Sequence, residues 1–227
     1  MFFIFLQCYF CEQITVAVAS NFIKPMQKIS TKFNGKLRLV FGSSGKLYSQ
    51  IINGAPYDVF FSADQQKPQL LFDEKYTAYK PFTYATGRLA LYTTNSLRHP
   101  VTKSAIFNVS SLAIANPLLA PYGKAALQVL DRLQLKYQNN KRLIIGENVS
   151  QVFAFVSSGN VEFGFLALSQ VINKNNNDYW IVPYDYHKPI KQDAVILKSG
   201  NLSHSFTKYV KSKEIRLIIA SYGYTWN

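Results

Sequence analysis

The chain has 227 residues, long enough for one large domain or two lobes of about 100 residues each. Its 48% hydrophobic and 15% aromatic content is that of a packed globular protein and excludes a disordered one. A net charge of +13 invites a nucleic-acid reading, but the basic residues are scattered (Lys141-Arg142 is one exception), with no basic tail, zinc-finger spacing or RNA-recognition signature; a diffuse positive field that attracts small anions or an anionic surface fits better.

The first residues, MFFIFLQCYFCEQ, are apolar from Phe2 to Leu6 and too short for a bilayer span, which needs about 20 apolar residues. They look like the h-region of a secretory leader that lacks its basic start. Cys8 and Cys11 form a CxxC within it, but no second pair completes a metal site, and neither follows the small residues expected before a lipidated cysteine. Residues 1–13 are therefore expected to be leader. Its removal leaves a chain without cysteine, which is compatible with export.

Residues 14–19 (ITVAVA) read as a strand buried on both faces. Ser20 and Asn21 open a helical pattern through Phe22, Met26, Ile29 and Phe33. A second strand over 37–41 ends at Gly42-Ser43-Ser44-Gly45 and gives way to a helix through Leu47, Ile51 and Ile52, stopped by Asn53-Gly54. A third strand over 57–62 leads through Ala63-Asp64 into a helix with Leu70, Leu71 and Phe72. Single β-type runs cover 82–92 and 193–197. Between them come a strand at 112–115, a loop at 116–123 and a helix at 124–133, then a strand at 142–145, a loop at 146–148, a helix at 149–157 and a strand at 163–167. Helices around 206–210 and 214–220 close the chain.

This strand–helix alternation predicts parallel α/β structure. One such unit interrupted by another predicts two α/β lobes joined by two crossing strands: 14–84 plus 194–227 as lobe I, and 85–193 as lobe II. Ligands of open sheets bind beyond the carboxyl ends of the strands, here in the cleft between lobes.

Four strand-to-helix junctions carry neutral residues at the helix start: Ser20-Asn21, Ser43-Ser44-Gly45, Pro121-Tyr122-Gly123 and Asn148-Val149-Ser150. A helix start exposes about four unpaired N–H groups and roughly half a positive charge, so it binds anions without a cationic side chain. The same residues also serve simply as helix caps, and spacing alone does not make the junctions converge. GSSG is neither a P-loop nor a nucleophile elbow: GxxxxGK[ST] is absent, and Lys46 stands where GxSxG needs glycine. His99, His187 and His204 are expected in polar or loop-like surroundings without a nucleophile pattern. Asp58 and Asp64 read as a strand-edge partner and a helix cap rather than an acid/base pair. Neither catalysis nor a cofactor is expected.

FGSSGKLYSQIINGAPYDVFFSADQ, with VAVASNF, IANPLLAPYGKAALQVL and ENVSQVFAFVSSGNVEFGFLAL in that order, resembles the periplasmic molybdate-binding proteins of ABC importers, and the likeness runs from Ile14 to the end. It implies a two-lobed, type II periplasmic-binding-protein-like fold, each lobe an α/β sheet sandwich, closing on molybdate (tungstate as well) for delivery to a membrane permease. By position it implies oxyanion contacts from Ser20 and Asn21, from the Ser44 hydroxyl and N–H, from the Tyr122 phenol and from the Val149 N–H, with no direct metal coordination. Some relatives carry a tyrosine where this chain has Ala167; Tyr122 either replaces that hydroxyl or covers the hinge. A monomer outside the cytoplasm, secreted or held by its N-terminus, is expected. Two alternatives stay open: another tetrahedral oxyanion such as sulfate, and a basic nucleic-acid-binding or regulatory protein with this fold as effector module, against which the lack of a helix-turn-helix extension speaks.

Overall fold

The computed structural model describes residues 12–95, 100–135 and 142–226, so His99 and the leader with Cys8 and Cys11 lie outside the described residues. The chain enters through β1 (Gln13–Ala19), a 3-10 turn at Ser20–Phe22 and α1 (Ile23–Ser30). It continues through β2 (Lys36–Gly42), α2 (Ser44–Ile52), β3 (Val59–Phe61), α3 (Gln66–Asp73) and β4 (Phe82–Gly87). Past Arg88 it builds a second unit from β5 (Leu89–Tyr92), β6 (Ser111–Ala115), α4 (Pro121–Arg132), β7 (Arg142–Gly146), α5 (Val149–Ser157), β8 (Phe163–Ala167), α6 (Leu168–Val171) and β9 (Tyr179–Ile181). β10 (Ile190–Ile196) returns to the first unit, completed by α7 (Asn201–Val210) and α8 (Lys213–Ser221).

Among the described residues the strands form two sheets, ordered β2-β1-β3-β10-β4 and β7-β6-β8-β5-β9. The two-lobed α/β architecture expected from the sequence is present, one lobe per sheet. Neither sheet is purely parallel, however. β10 runs antiparallel to β3 and β4, and β5 antiparallel to β8 and β9. A strand's apolar pattern records which faces it buries, not its direction, so the sequence is blind to this reversal. For the same reason the run at 82–92 reads as one strand, whereas its first half pairs with β10 and its second with β8 and β9.

β1 shows why so apolar a strand lies inside its sheet, between β2 and β3. Ile14, Val16 and Val18 pack with Phe22, Met26, Phe206, Ile215 and Ile219 on one face; Ala17 packs with Leu47, Ile51, Phe60 and Leu71 on the other. α1, α7 and α8 thus cover one side of the first sheet, and α2 and α3 the other. In the second lobe the core gathers Leu112 to Ala115, Ala126, Val129, Val152, Val156 and Phe165.

Element boundaries differ from expectation in ways that bear on the site. α1 stops at Ser30, so Phe33 lies beyond it, its ring 5.0 Å from that of Phe206. α3 begins at Gln66, not at Ala63: the Asp64 carboxylate accepts the Lys67 N–H at 2.9 Å and holds the intervening turn. Asp58 accepts the Thr15 N–H at 2.6 Å and so ties the approach to β3 to the edge of β1. α4 starts at Pro121, three residues before the expected Lys124; proline is favoured at the first helical position, where its missing N–H leaves nothing unsatisfied.

Candidate ligand-binding site

The segments that follow β1, β2, β3, β6 and β7 meet between the lobes. They line a small space of about 10 Å³ walled by Ala19, Ser20, Asn21, Ser43, Ser44, Ala63, Ala120, Pro121, Tyr122 and Val149. All five residues singled out from the sequence, Ser20, Asn21, Ser44, Tyr122 and Val149, lie in this lining, three from the first lobe and two from the second. Pro121 apart, no lining residue is more than 6% exposed. Pockets for drug-sized molecules run to roughly 300–1,000 Å³, so this space, hardly larger than one water needs, admits nothing bulkier than a small ion.

Each helix start leaves an N–H to the cavity because its neighbours are used elsewhere. At α2, the Ser43 hydroxyl accepts from Lys46 N–H, Leu47 N–H bonds to the Ser43 carbonyl, and Gly45 N–H donates across the cleft to the Leu119 carbonyl at 2.8 Å. The Ser44 N–H has no protein partner among the described residues. At α5, the Asn148 carboxamide oxygen accepts from Ser150 and Gln151 at 2.9 and 3.2 Å, leaving the Val149 N–H. At α4, Gly123 and Lys124 both donate to the Ala120 carbonyl, leaving that of Tyr122. The Ser44 hydroxyl oxygen accepts the Ala63 N–H at 2.9 Å, which turns its own proton away from Ala63. The cavity therefore presents amide and hydroxyl donors and no charged side chain.

Behind this lining lies a buried polar cluster. The Asn21 carboxamide donates to Gln192 Oε1 at 2.8 Å and to the Tyr224 hydroxyl at 2.9 Å. Gln192 donates to the Tyr122 hydroxyl at 3.2 Å and accepts from that of Tyr84 at 2.9 Å. Tyr224 and Ser169 both donate to the Asn21 carbonyl, at 2.8 and 2.7 Å. The side-chain N–H groups of Asn21 are thus held within the protein, and the cluster spans the seam, with Tyr122 and Ser169 from the second lobe and Asn21, Tyr84, Gln192 and Tyr224 from the first. Burial pushes the Tyr224 phenol up to about 12 and those of Tyr84 and Tyr122 well above the usual tyrosine range, so all three stay protonated. Gln192, Tyr84, Ser169 and Tyr224 carry no sequence signal for the site, since Asn21 meets Ser169, Gln192 and Tyr224 only across 148 to 203 residues and Tyr84 joins through Gln192, 108 residues away.

The histidines stand apart from the lining. His204 is exposed and lies edge-on to Tyr79, centroids 5.1 Å apart. His187, expected in a polar or loop-like setting, is buried: the loop entering β10 tucks its ring inward, Nδ1 sits 2.8 Å from the Lys188 carbonyl oxygen, and burial lowers its pKa. Among the described residues no group of three or more His, Cys, Asp or Glu side chains could hold a metal ion, and no helix is long and apolar enough to cross a membrane.

Two α/β lobes joined by crossing strands, with one small enclosed space of neutral donors at their strand ends, define a ligand-binding protein of the two-lobed class. Residues 14–225 match the family of bacterial extracellular solute-binding proteins, and the chain belongs to it. It is 39% identical to the molybdate-binding protein ModA of Rhodobacter capsulatus, over 93% of this chain and 88% of that one. To the ModA of Azotobacter vinelandii it is 40% identical, over 93% and 89%. The solved periplasmic molybdate-binding protein of Azotobacter vinelandii superposes with a TM-score of 0.86 at 33% identity, covering 94% of this chain and 99% of that one.

Proposed function

We propose that the protein captures molybdate between its lobes outside the cytoplasm and delivers it to the membrane permease of an ABC importer. One observation carries the reading: a small buried space between the lobes onto which helix starts from both lobes direct uncharged donors. A hydrogen bond to a charged group contributes about 1.5–3 kcal/mol. The hydroxyl and N–H of Ser44 with the N–H groups of Tyr122 and Val149 give a gross attraction of about 6–12 kcal/mol, to which the Ser20 loop adds and from which ion desolvation and lobe ordering subtract. Neutral donors also ease release, because no buried cation is left unpaired when the ion departs.

Ser20, Asn21, Ser44, Tyr122 and Val149 are the proposed contacts, all to oxygen atoms of the ion and none to its metal. Tyr122 contributes through its helix-start N–H, while its phenol anchors the lobes through Gln192. Tungstate, alike in shape and charge, is taken as a second ligand. The lobes divide at 14–84 plus 194–227 and 85–193, the protein works as a monomer without catalysis or cofactor, and the names of its relatives support this role over sulfate or nucleic-acid binding.

Calorimetry with molybdate, tungstate, sulfate and phosphate tests the proposal, backed by thermal melts. At a ligand concentration of 100 Kd, binding to the folded state stabilises by about 2.7 kcal/mol. Heat and a melt shift with molybdate and tungstate are expected; a shift with DNA alone, or with sulfate but not molybdate, overturns it.

A further inference from the structure

The cavity lining is buried, so an ion reaches it only when the lobes part, and every contact across the seam is made and broken with each cycle. One of these contacts is unusual. Gly45, the second residue of α2 in the first lobe, donates its backbone N–H to the carbonyl of Leu119 in the second at 2.8 Å. A Cβ at position 45 would lie 2.9 Å from Leu119 Cα, 3.0 Å from its carbonyl oxygen and 3.1 Å from Cδ2. All three nearest atoms belong to the opposite lobe, and two of them are backbone that cannot swing aside. Beside this contact Lys46 Nζ stands 2.9 Å from Glu147 Oε1, again across the seam.

We infer that Gly45 is the closure residue of this protein: the absence of a side chain there lets the two backbones meet over the ion, and the Lys46–Glu147 pair reinforces the meeting. Gly45 positions the lobes and does not bind the ion, since its N–H already belongs to Leu119. A methyl group at this position fits α2, where alanine is preferred over glycine, and collides only on closure. Closure then becomes the minor state, and affinity falls by the fraction of molecules still able to close. The inference rests on the molybdate reading given above.

The test uses the wild-type protein, Gly45→Ala and Glu147→Gln. Three measurements are made: molybdate affinity by calorimetry, radius of gyration by X-ray scattering with and without molybdate, and the melting temperature of the ligand-free protein. The expected Gly45→Ala protein melts like wild type without ligand, binds molybdate about tenfold or more weakly, and does not compact when it is added. Glu147→Gln is expected to weaken binding about two- to threefold at low salt and hardly at all at high salt. Wild-type affinity and compaction in Gly45→Ala overturn the inference. So does a lowered ligand-free melting temperature, which means residue 45 collides within its own lobe. A wild-type protein that ignores molybdate but binds and compacts around another oxyanion defeats the molybdate reading instead, and the same variants are then compared with that ion.

Discussion

The Ser44 hydroxyl and the Ala63 N–H, 19 residues apart in sequence, are joined at 2.9 Å at the wall of the cavity. The bond fixes the hydroxyl oxygen as an acceptor, so its proton is directed to whatever occupies the space. Ser44 therefore offers two donors to one ion, its hydroxyl and its helix-start N–H.

Ser44→Ala removes the first of these and keeps the second. Loss of one hydrogen bond to a charged group weakens molybdate binding about ten- to hundredfold. The ligand-free melting temperature falls too, because the buried Ala63 N–H loses its acceptor at a cost of about 1–3 kcal/mol. Calorimetry on the variant checks this, and wild-type affinity removes the hydroxyl from the site.

Tyr122→Phe is expected to lower stability in the same way but to spare binding more. It preserves the backbone N–H but strips the acceptor from buried Gln192, whose stranded donor costs about 1–3 kcal/mol of stability. The melting temperature falls, and molybdate affinity drops less than in Ser44→Ala. A larger loss of affinity than in Ser44→Ala, with an unchanged melt, makes the phenol a direct ligand contact.

Gly87→Ala tests the same cluster from its other side. A Cβ there would lie 2.1 Å from the Tyr122 hydroxyl and 2.5 Å from Gln192 Nε2. Crowding a packed site in this way costs about 1–3 kcal/mol. The cost is expected to be smaller in the Tyr122→Phe background, where the nearest atom is gone, and a double-mutant cycle on melting data measures the difference.

Alkaline stability follows from the three buried phenols. Burial holds the phenols of Tyr84, Tyr122 and Tyr224 above the usual tyrosine pKa of about 10, so their contribution is complete below pH 10 and is lost as pH rises. Between pH 10 and about 12 the unfolded chain binds fewer protons than the folded one, and stability falls by about 4 kcal/mol per pH unit if all three ionise only on unfolding. Urea titrations over this range check the slope. Molybdate affinity, set by neutral donors, is expected to stay flat between about pH 6 and 9.

The charge of +13 acts on capture rather than on holding. Raising ionic strength from about 0.02 to 0.2 M is expected to slow molybdate association several-fold and leave dissociation nearly unchanged, because the Debye length shrinks while the cavity stays sheltered from solvent. Stopped-flow measurements separate the two rates.

The amino-acid pattern by itself determined that β1 is buried on both faces, that helices begin after Gly42 and Asn148, and that Ser, Asn and Gly stand at those beginnings. These are local matters of apolar content and capping; they marked four helix starts, and the resemblance to molybdate-binding proteins drew Ser20, Asn21, Ser44, Tyr122 and Val149 from them into one candidate group. Tertiary structure alone decided that β5 and β10 run against their neighbours, that 82–92 divides between two sheets, and that α4 opens at Pro121 rather than at Lys124. It also decided which helix-start N–H groups remain free: Gly45 finds Leu119, and Asn21 finds Gln192 and Tyr224, far along the chain. Short-range pattern encodes which groups need partners; only the folded chain, by bringing distant segments within 3 Å or so, determines which of them have found one.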